Sequence, residues 1–134
     1  MKQRIVVCAL ISSGGKYLFI RQNKSGGAYP NSLHIPGGGL EPGEDLVAGL
    51  QREIMEETNI TVKNIVPYDF DSDELEYEGE RTHLIFLRFL ADYRSGQPKP
   101  GSDASQVVWI EKSDLSKHHH NPPTMRLLSK LGLL

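Results

Sequence analysis

The stretch Leu46–Thr58 constrains this chain more than any other, because it reads as a helix built against its own stability. On a wheel of roughly 100° per residue, Leu46, Val47, Leu50 and Ile54 form one apolar stripe expected to face a core. Glu53 and Glu57 fall within about 20° of Leu46, at the edge of that stripe, and Glu56 lies on the adjoining arc. Three carboxylates therefore crowd one side of one helix. The Glu53–Glu56 and Glu53–Glu57 pairs repel by about 0.2–0.5 kcal/mol each. All three also sit in the half of the helix where the macrodipole is negative. Gly49 costs about 1 kcal/mol more against alanine. Local rules broken together tend to mark a functional site. A hard cation resolves the conflict, because Mg²⁺ takes carboxylate and carbonyl oxygens. A solvated acidic face balanced by Arg52 and Lys63 is the alternative reading.

Asp45 is placed to cap this helix at its start, and Asn59 tolerates the left-handed conformation that ends it. Ahead of it runs Gly37-Gly38-Gly39-Leu40-Glu41-Pro42-Gly43, too glycine-rich for regular structure and able to bring backbone close to a ligand. Ile5–Ile11 and Tyr17–Arg21 read as a hairpin across the turn Ser12-Ser13-Gly14-Gly15. Asn23–Ser32 is a loop, and Leu33–Pro36 a short strand. Ile60–Phe70 and Thr82–Ala91 are long strands with Asp71–Glu80 as an acidic, solvated tip between them. Val107–Glu111 is a further strand, Ser113-Asp114-Leu115 starts a short helical turn, and Thr124–Leu131 is a final helix entered through Pro122 and Pro123. The alternation predicts a mixed sheet with helices packed on it.

The 134 residues fit one domain, 1–134, and 38% hydrophobic residues suffice for a core. A net charge of −2 with interspersed signs argues against a nucleic-acid partner. Cys8 is the one cysteine, so no internal disulfide forms, and it reads as a buried thiol. The apolar run around it is too short to span a membrane and lacks a signal-peptide cleavage site, which predicts a cytoplasmic protein. His118-His119-His120 reads as a solvated loop.

Gly38, Glu44, Arg52, Glu53, Ile54, Glu56, Glu57 and Ile60 stand at the spacing G-x5-E-x7-R-E-U-x-E-E-x-G-U, where U is a bulky aliphatic residue. In this the chain resembles the Nudix hydrolases, and its short, box-centred form is MutT-like. Asn59 replaces the second glycine, a conservative change where positive φ is needed. The segment Ile35–Glu44 is similar to the family's entry to the box, and Trp109-Ile110 with Asp114-Leu115 to its last strand and turn. Both ends of the chain are similar to the bacterial pyrimidine deoxynucleoside triphosphatases of the family. The resemblance implies an α/β fold, an α/β/α sandwich around a mixed β-sheet, and Mg²⁺-dependent (or Mn²⁺-dependent) hydrolysis of a diphosphate linkage in a small nucleotide. It further implies metal ligation by Glu56, Glu57 and the Gly37 carbonyl. Glu53 would be a ligand, the general base or both. Arg52 would orient a glutamate, and Glu44 would contact metal through water or support the loop.

Other site residues follow less directly. Arg21 ends a strand and could reach a phosphate, or serve as an ordinary surface arginine. Gly38 lies where the backbone meets a ligand. Asn121 could bond a base edge or cap the last helix. Asp103 is the nearest late acidic residue, in a glycine- and serine-rich loop, and His83 is expected simply to be packed. By resemblance, Leu75 stands where ADP-ribose hydrolases carry a proline, and Tyr77 meets the spacing of a dinucleoside polyphosphate marker. A nucleoside triphosphate, cleaved to monophosphate and pyrophosphate, is the favoured substrate. A dinucleoside polyphosphate, a catalytically silent nucleotide sensor and a metal-buffering domain are the rivals. The protein is expected to be a monomer or homodimer.

Overall fold

The computed structural model describes residues 1–22, 29–101 and 104–134. The expected Asp103 and most of the Asn23–Ser32 loop lie outside these residues. Strand β1, Lys2–Ser13, is the spine. It runs parallel to β6, Glu80–Ser95, from Lys2↔Thr82 to Ser12↔Asp92. Its other edge is shared by two partners, both antiparallel. Gly37–Gly39 forms β4 and pairs with Val6–Cys8, while Ser12 and Ser13 pair with β2, Lys16–Gln22. Strand β2 continues the sheet to β3, Leu33–His34, and to β7, Ala104–Glu111. Strand β5, Thr61–Tyr77, closes the far edge antiparallel to β6. The sheet is mixed, as expected.

Side-chain alternation along β1 divides the interior in two. Val7, Ala9 and Ile11 point to one face, where they pack with Leu50 and Ile54 of α1, Leu46–Thr58. Cys8 and Leu10 point to the other, toward Leu127 and Leu128 of α2, Pro122–Lys130. Burial on both faces explains why the strand reads as an unbroken apolar run. Helices on opposite faces of one sheet make the α/β/α sandwich. No helix among the described residues is long and apolar enough to cross a membrane.

Several local readings are corrected. The glycine triplet is a strand, because only residues without Cβ fit there: a Cβ on Gly37 would meet the Val7 carbonyl and Cys8 Cα. Asp71–Tyr77 is not a hairpin tip but the end of β5; the turn is confined to Glu78 and Gly79, both at positive φ. The acidic side chains are held where they stand, Asp71 by Arg126 at 2.8 Å and Asp73 by the Tyr29 hydroxyl at 2.6 Å. Leu46 and Val47 remain 42% and 38% exposed, so the buried stripe of α1 runs through Leu50, Ile54 and Glu57 instead. The histidine run is not wholly solvated. His120 is buried, tilts against Phe19 at 5.1 Å between ring centres, and shares a hydrogen bond with Leu115 O.

Candidate active site

Capping fixes both ends of α1. Asp45 accepts from Ala48 N at 3.0 Å, and Asn59 takes φ 63°, ψ 24° with its backbone N–H on Met55 O. The left-handed residue that the box writes as glycine is thus supplied by asparagine. The asparagine amide also donates to Gln97 O at 3.1 Å. Gly49 answers a close approach, since a Cβ there would stand 2.7 Å from Leu40 Cδ1 and 2.8 Å from Glu44 Oε1.

Arg52 is the hub of the carboxylates. Its Nε and Nη2 grip Glu44 in a two-pronged pair at 2.7 and 2.9 Å. Its Nη1 donates to Glu53 at 3.0 Å and to Glu56 at 3.2 Å, and Nη2 also reaches Gly39 O at 3.2 Å. The guanidinium hydrogen bonds from Arg52, with a second bond from Glu41 N, hold the Glu44 carboxyl down to about 2. The same partners, Glu44 first, keep Arg52 charged at any ordinary pH. Glu53 moves the other way. Burial pushes its pKa above the usual value, and Arg52 only partly counters this. A carboxylate raised by burial holds a proton more readily than an exposed one.

Glu57 is only 5% exposed, and Gly37 N donates to its Oε1 at 2.7 Å. Strand β4 therefore presents the glutamate cluster with one backbone donor, while Gly38 lies against Glu53 so closely that a Cβ would fall on its carboxylate. Gly37, Gly38, Glu44, Arg52, Glu53, Glu56 and Glu57 are thus brought together. Among the described residues no three carboxylates, imidazoles or thiolates are gathered as a ready-made metal cage. The arginine fork occupies three of the four glutamates. The donor set is nonetheless all oxygen and anionic, the chemistry that a hard divalent ion prefers.

Beside β4 opens a cavity of about 120 Å³, lined by Arg4, Cys8, Gln22, His34, Tyr77 and Asn121 among others. Asn121 lines it while capping α2, its side chain accepting from Thr124 N at 2.9 Å. The cap reading of this residue therefore stands, and the residue also borders the cavity. Burial pushes the Cys8 thiol up to about 12, so it is a packed, inert group. Arg21 is not brought to the cavity lining. It donates to Asn31 O at 2.6 Å and to Gln106 Oε1 at 3.2 Å, as a structural arginine does.

Arg4 was missed by sequence reasoning. It lies over the Tyr77 ring, 5.2 Å from the centroid, at the cavity wall next to Gly39. The signal was present, since Arg4, Val6 and Cys8 alternate on one face of β1 and all three line the cavity. Arg88 was missed too. It lies buried in the cavity wall, forked to Asp69 at 2.7 and 2.9 Å and donating to Pro123 O at 2.8 Å. Nothing in a lone arginine inside a strand pattern betrays that.

Comparison with known proteins agrees with this geometry. The family model of the NUDIX domain matches residues 1–131. The chain is 31% identical over 141 aligned positions to the nucleoside triphosphatase NudI of Escherichia fergusonii, covering 100% of both chains, and the same figures hold for NudI of Escherichia coli K12. Its fold is similar to that of a MutT NUDIX hydrolase from Burkholderia pseudomallei, with a TM-score of 0.83 and 22% identity over 96% of this chain and 98% of that one. It is similar also to the NUDIX domain of Shewanella oneidensis NrtR, solved with ADP ribose, with a TM-score of 0.78 and 14% identity over 98% and 87% of the two chains. With three of its four box carboxylates gathered on Arg52 and its full length matched by these relatives, the chain belongs to the NUDIX family, as a pyrophosphohydrolase.

Proposed function

We propose that residues 1–134 form one catalytic domain that hydrolyses nucleoside triphosphates to monophosphate and pyrophosphate with Mg²⁺. The observation that carries this reading is the junction at Gly37 and Gly38. There the clamped glutamates and the cavity meet across a single strand of backbone. The NudI relatives, matched over their whole length, are nucleoside triphosphatases and favour that substrate class.

Glu53, Glu56, Glu57 and the Gly37 carbonyl would hold the metal, and Mn²⁺ offers the same oxygen chemistry. Bound there, the ion would neutralise charge developing on the phosphoryl oxygens. The chain's own residues do the rest. Arg52 keeps Glu44, Glu53 and Glu56 in one place by charge-assisted bonds. Gly37 N fixes the rotamer of Glu57. Glu53, with its raised pKa, takes the proton of the attacking water. Half-buried and buried side chains of the cavity receive the nucleoside, in the manner of a pre-formed pocket. The protein acts in the cytoplasm as a monomer or homodimer, with neither nucleic acid nor membrane as partner.

The test is a panel of nucleoside triphosphates, ADP-ribose and a dinucleoside tetraphosphate, each with Mg²⁺ and with a chelator. Phosphate is measured with and without added pyrophosphatase. Mg²⁺-dependent phosphate that appears only after pyrophosphatase, and with nucleoside triphosphates, is expected. Preferred turnover of the dinucleoside tetraphosphate would favour the second reading, to which Tyr77 on the cavity wall lends support. Metal-dependent nucleotide binding without turnover would make the protein a sensor.

A further inference from the structure

We propose that Arg4 grips the phosphate nearest the nucleoside, fixing the triphosphate chain where it passes from the cavity to the glutamates. This rests on the nucleotide reading above and assigns one residue of that site. Arg4 is an exposed residue that lines the cavity. Its guanidinium is held in place from two sides. The Tyr77 ring lies beneath it, with 5.2 Å between Cζ and the ring centroid. Gly39 lies against it, since a Cβ there would stand 2.5 Å from Nη2 and 2.6 Å from Cζ. The preceding Gly38 presents its face to the Glu53 carboxylate, and successive residues of a strand face opposite ways. Arg4 and Glu53 therefore flank β4 with its backbone between them. Burial raises the pKa of Glu53, Arg52 pulls it back, and the charge of Arg4 adds to that pull.

The charge balance of the site singles out this arginine. Glu44, Glu53, Glu56 and Glu57 repel a polyphosphate, and a bound cation offsets only part of their charge. Holding the anion calls for a further cation with open N–H donors. Arg52 is engaged by Glu44, Glu53 and Glu56. Arg88, the other arginine of the cavity wall, is engaged by Asp69, Asp71 and the Pro123 carbonyl. Among the described residues no carboxylate or carbonyl takes the N–H groups of Arg4. A planar guanidinium with an open fork matches two oxygens of one phosphate, and the ring beneath it lowers the cost of ordering it. The contact is to phosphate, so it sets the register of the chain and leaves the choice of base to other groups.

Wild type is compared with Arg4→Met, Arg4→Lys and Gly39→Ala. Gly39 is not at positive φ, so alanine suits its backbone, and the added Cβ displaces the flexible end of Arg4. NMR titration to millimolar concentration, with a chelator present, gives Kd for dTMP against thymidine and for dAMP against deoxyadenosine. Wild type should bind a monophosphate about tenfold more tightly than its nucleoside, the advantage of one charge-assisted pair. Arg4→Met and Gly39→Ala should bring that ratio near one while leaving the nucleoside constants unchanged. Arg4→Lys, a point charge without the fork, should restore part of it. With Mg²⁺, kcat/KM for the matching triphosphate should fall about tenfold in Arg4→Met. The same ratio in wild type and Arg4→Met would overturn the inference, as would a wild type that binds neither monophosphate; triphosphate turnover by that wild type would leave the hydrolase reading standing. If Gly39→Ala does not fold, the two Arg4 variants decide alone. A wild type that shows the ratio but cleaves no nucleotide would uphold the contact and remove the hydrolase reading instead.

Discussion

Glu57→Gln separates charge from scaffolding at the most buried carboxylate of the site. The glutamine retains an oxygen for the Gly37 N–H, which Glu57 now accepts at 2.7 Å. Exchanging a charged for a neutral acceptor loses about 1 kcal/mol of that bond. Against this, a carboxylate only 5% exposed no longer has to be held charged in the interior. Repulsion from Glu53, four residues earlier, is also relieved by about 0.2–0.5 kcal/mol. The terms nearly cancel, so ligand-free stability should change by no more than about 1 kcal/mol, or about 4 °C in melting point. Turnover should fall about 10²- to 10³-fold, the scale of removing one preorganised electrostatic contact from a transition state. Mg²⁺ should raise the melting point of wild type and leave that of the variant unmoved. Calorimetry with and without Mg²⁺, beside steady-state kinetics on the best triphosphate, reads all three quantities. Turnover within threefold of wild type would remove Glu57 from the chemistry. A stability loss above about 3 kcal/mol would show that the balance of terms was misjudged and that the residue is a strut.

Three further outcomes are expected. Arg88→Met should destabilise by about 3 kcal/mol, the low end for a broken buried pair, because Lys130 Nζ at 2.9 Å still partners Asp69; urea unfolding at constant m-value measures it. Burial alone would raise the Asp69 pKa, but the bonds from Arg88 and Lys130 outweigh it and depress the value. That stabilisation is present above the unfolded pKa of about 3.9 and is lost as pH falls through the lower folded value. The acid limb of the wild-type urea midpoint should therefore be steeper than that of Arg88→Met. Gly38→Ala drives a Cβ onto the Glu53 carboxylate, the far end of a flexible chain, so the fold should survive while turnover drops about a hundredfold. Arg52→Lys keeps the charge but not the fork on Glu44, and kcat should fall about tenfold or more with little change in the urea midpoint.

Local codes were legible and distant ones were not. The bounds Leu46–Thr58, the Asp45 cap and the left-handed Asn59 follow from short-range chemistry and stand in the structure as read. The glutamate cluster was visible because it violates several helix rules at once. What failed depends on partners far away in the chain. Gly37–Gly39 becomes a strand only because Val6–Cys8 lies beside it. Asp71 and Asp73 look like a solvated tip until Arg126 and Tyr29 arrive to hold them. Leu46 and Val47 belong to the apolar stripe on a wheel, yet the sheet meets the helix further along, at Leu50 and Ile54. Arg21 and Arg4 are equivalent in the sequence, and only the sheet decides that one ties β2 to its neighbours while the other borders the cavity.

The connection after β6 has a bearing on how such a protein can be altered. Lys99 N and Gly101 N donate to Thr58 O and Glu57 O, so the last carbonyls of α1 are met by a segment some forty positions downstream. A Cβ on Gly101 would strike the Glu56 carbonyl. This stretch is a clasp at the acidic end of the helix, and its length sets where Glu56 and Glu57 stop. Adding or deleting a residue between Gln97 and Gly101 should therefore silence the enzyme without unfolding it. By contrast, the turn at Gly14 and Gly15, where added Cβ atoms meet nothing, is the place to graft a tag or open new termini.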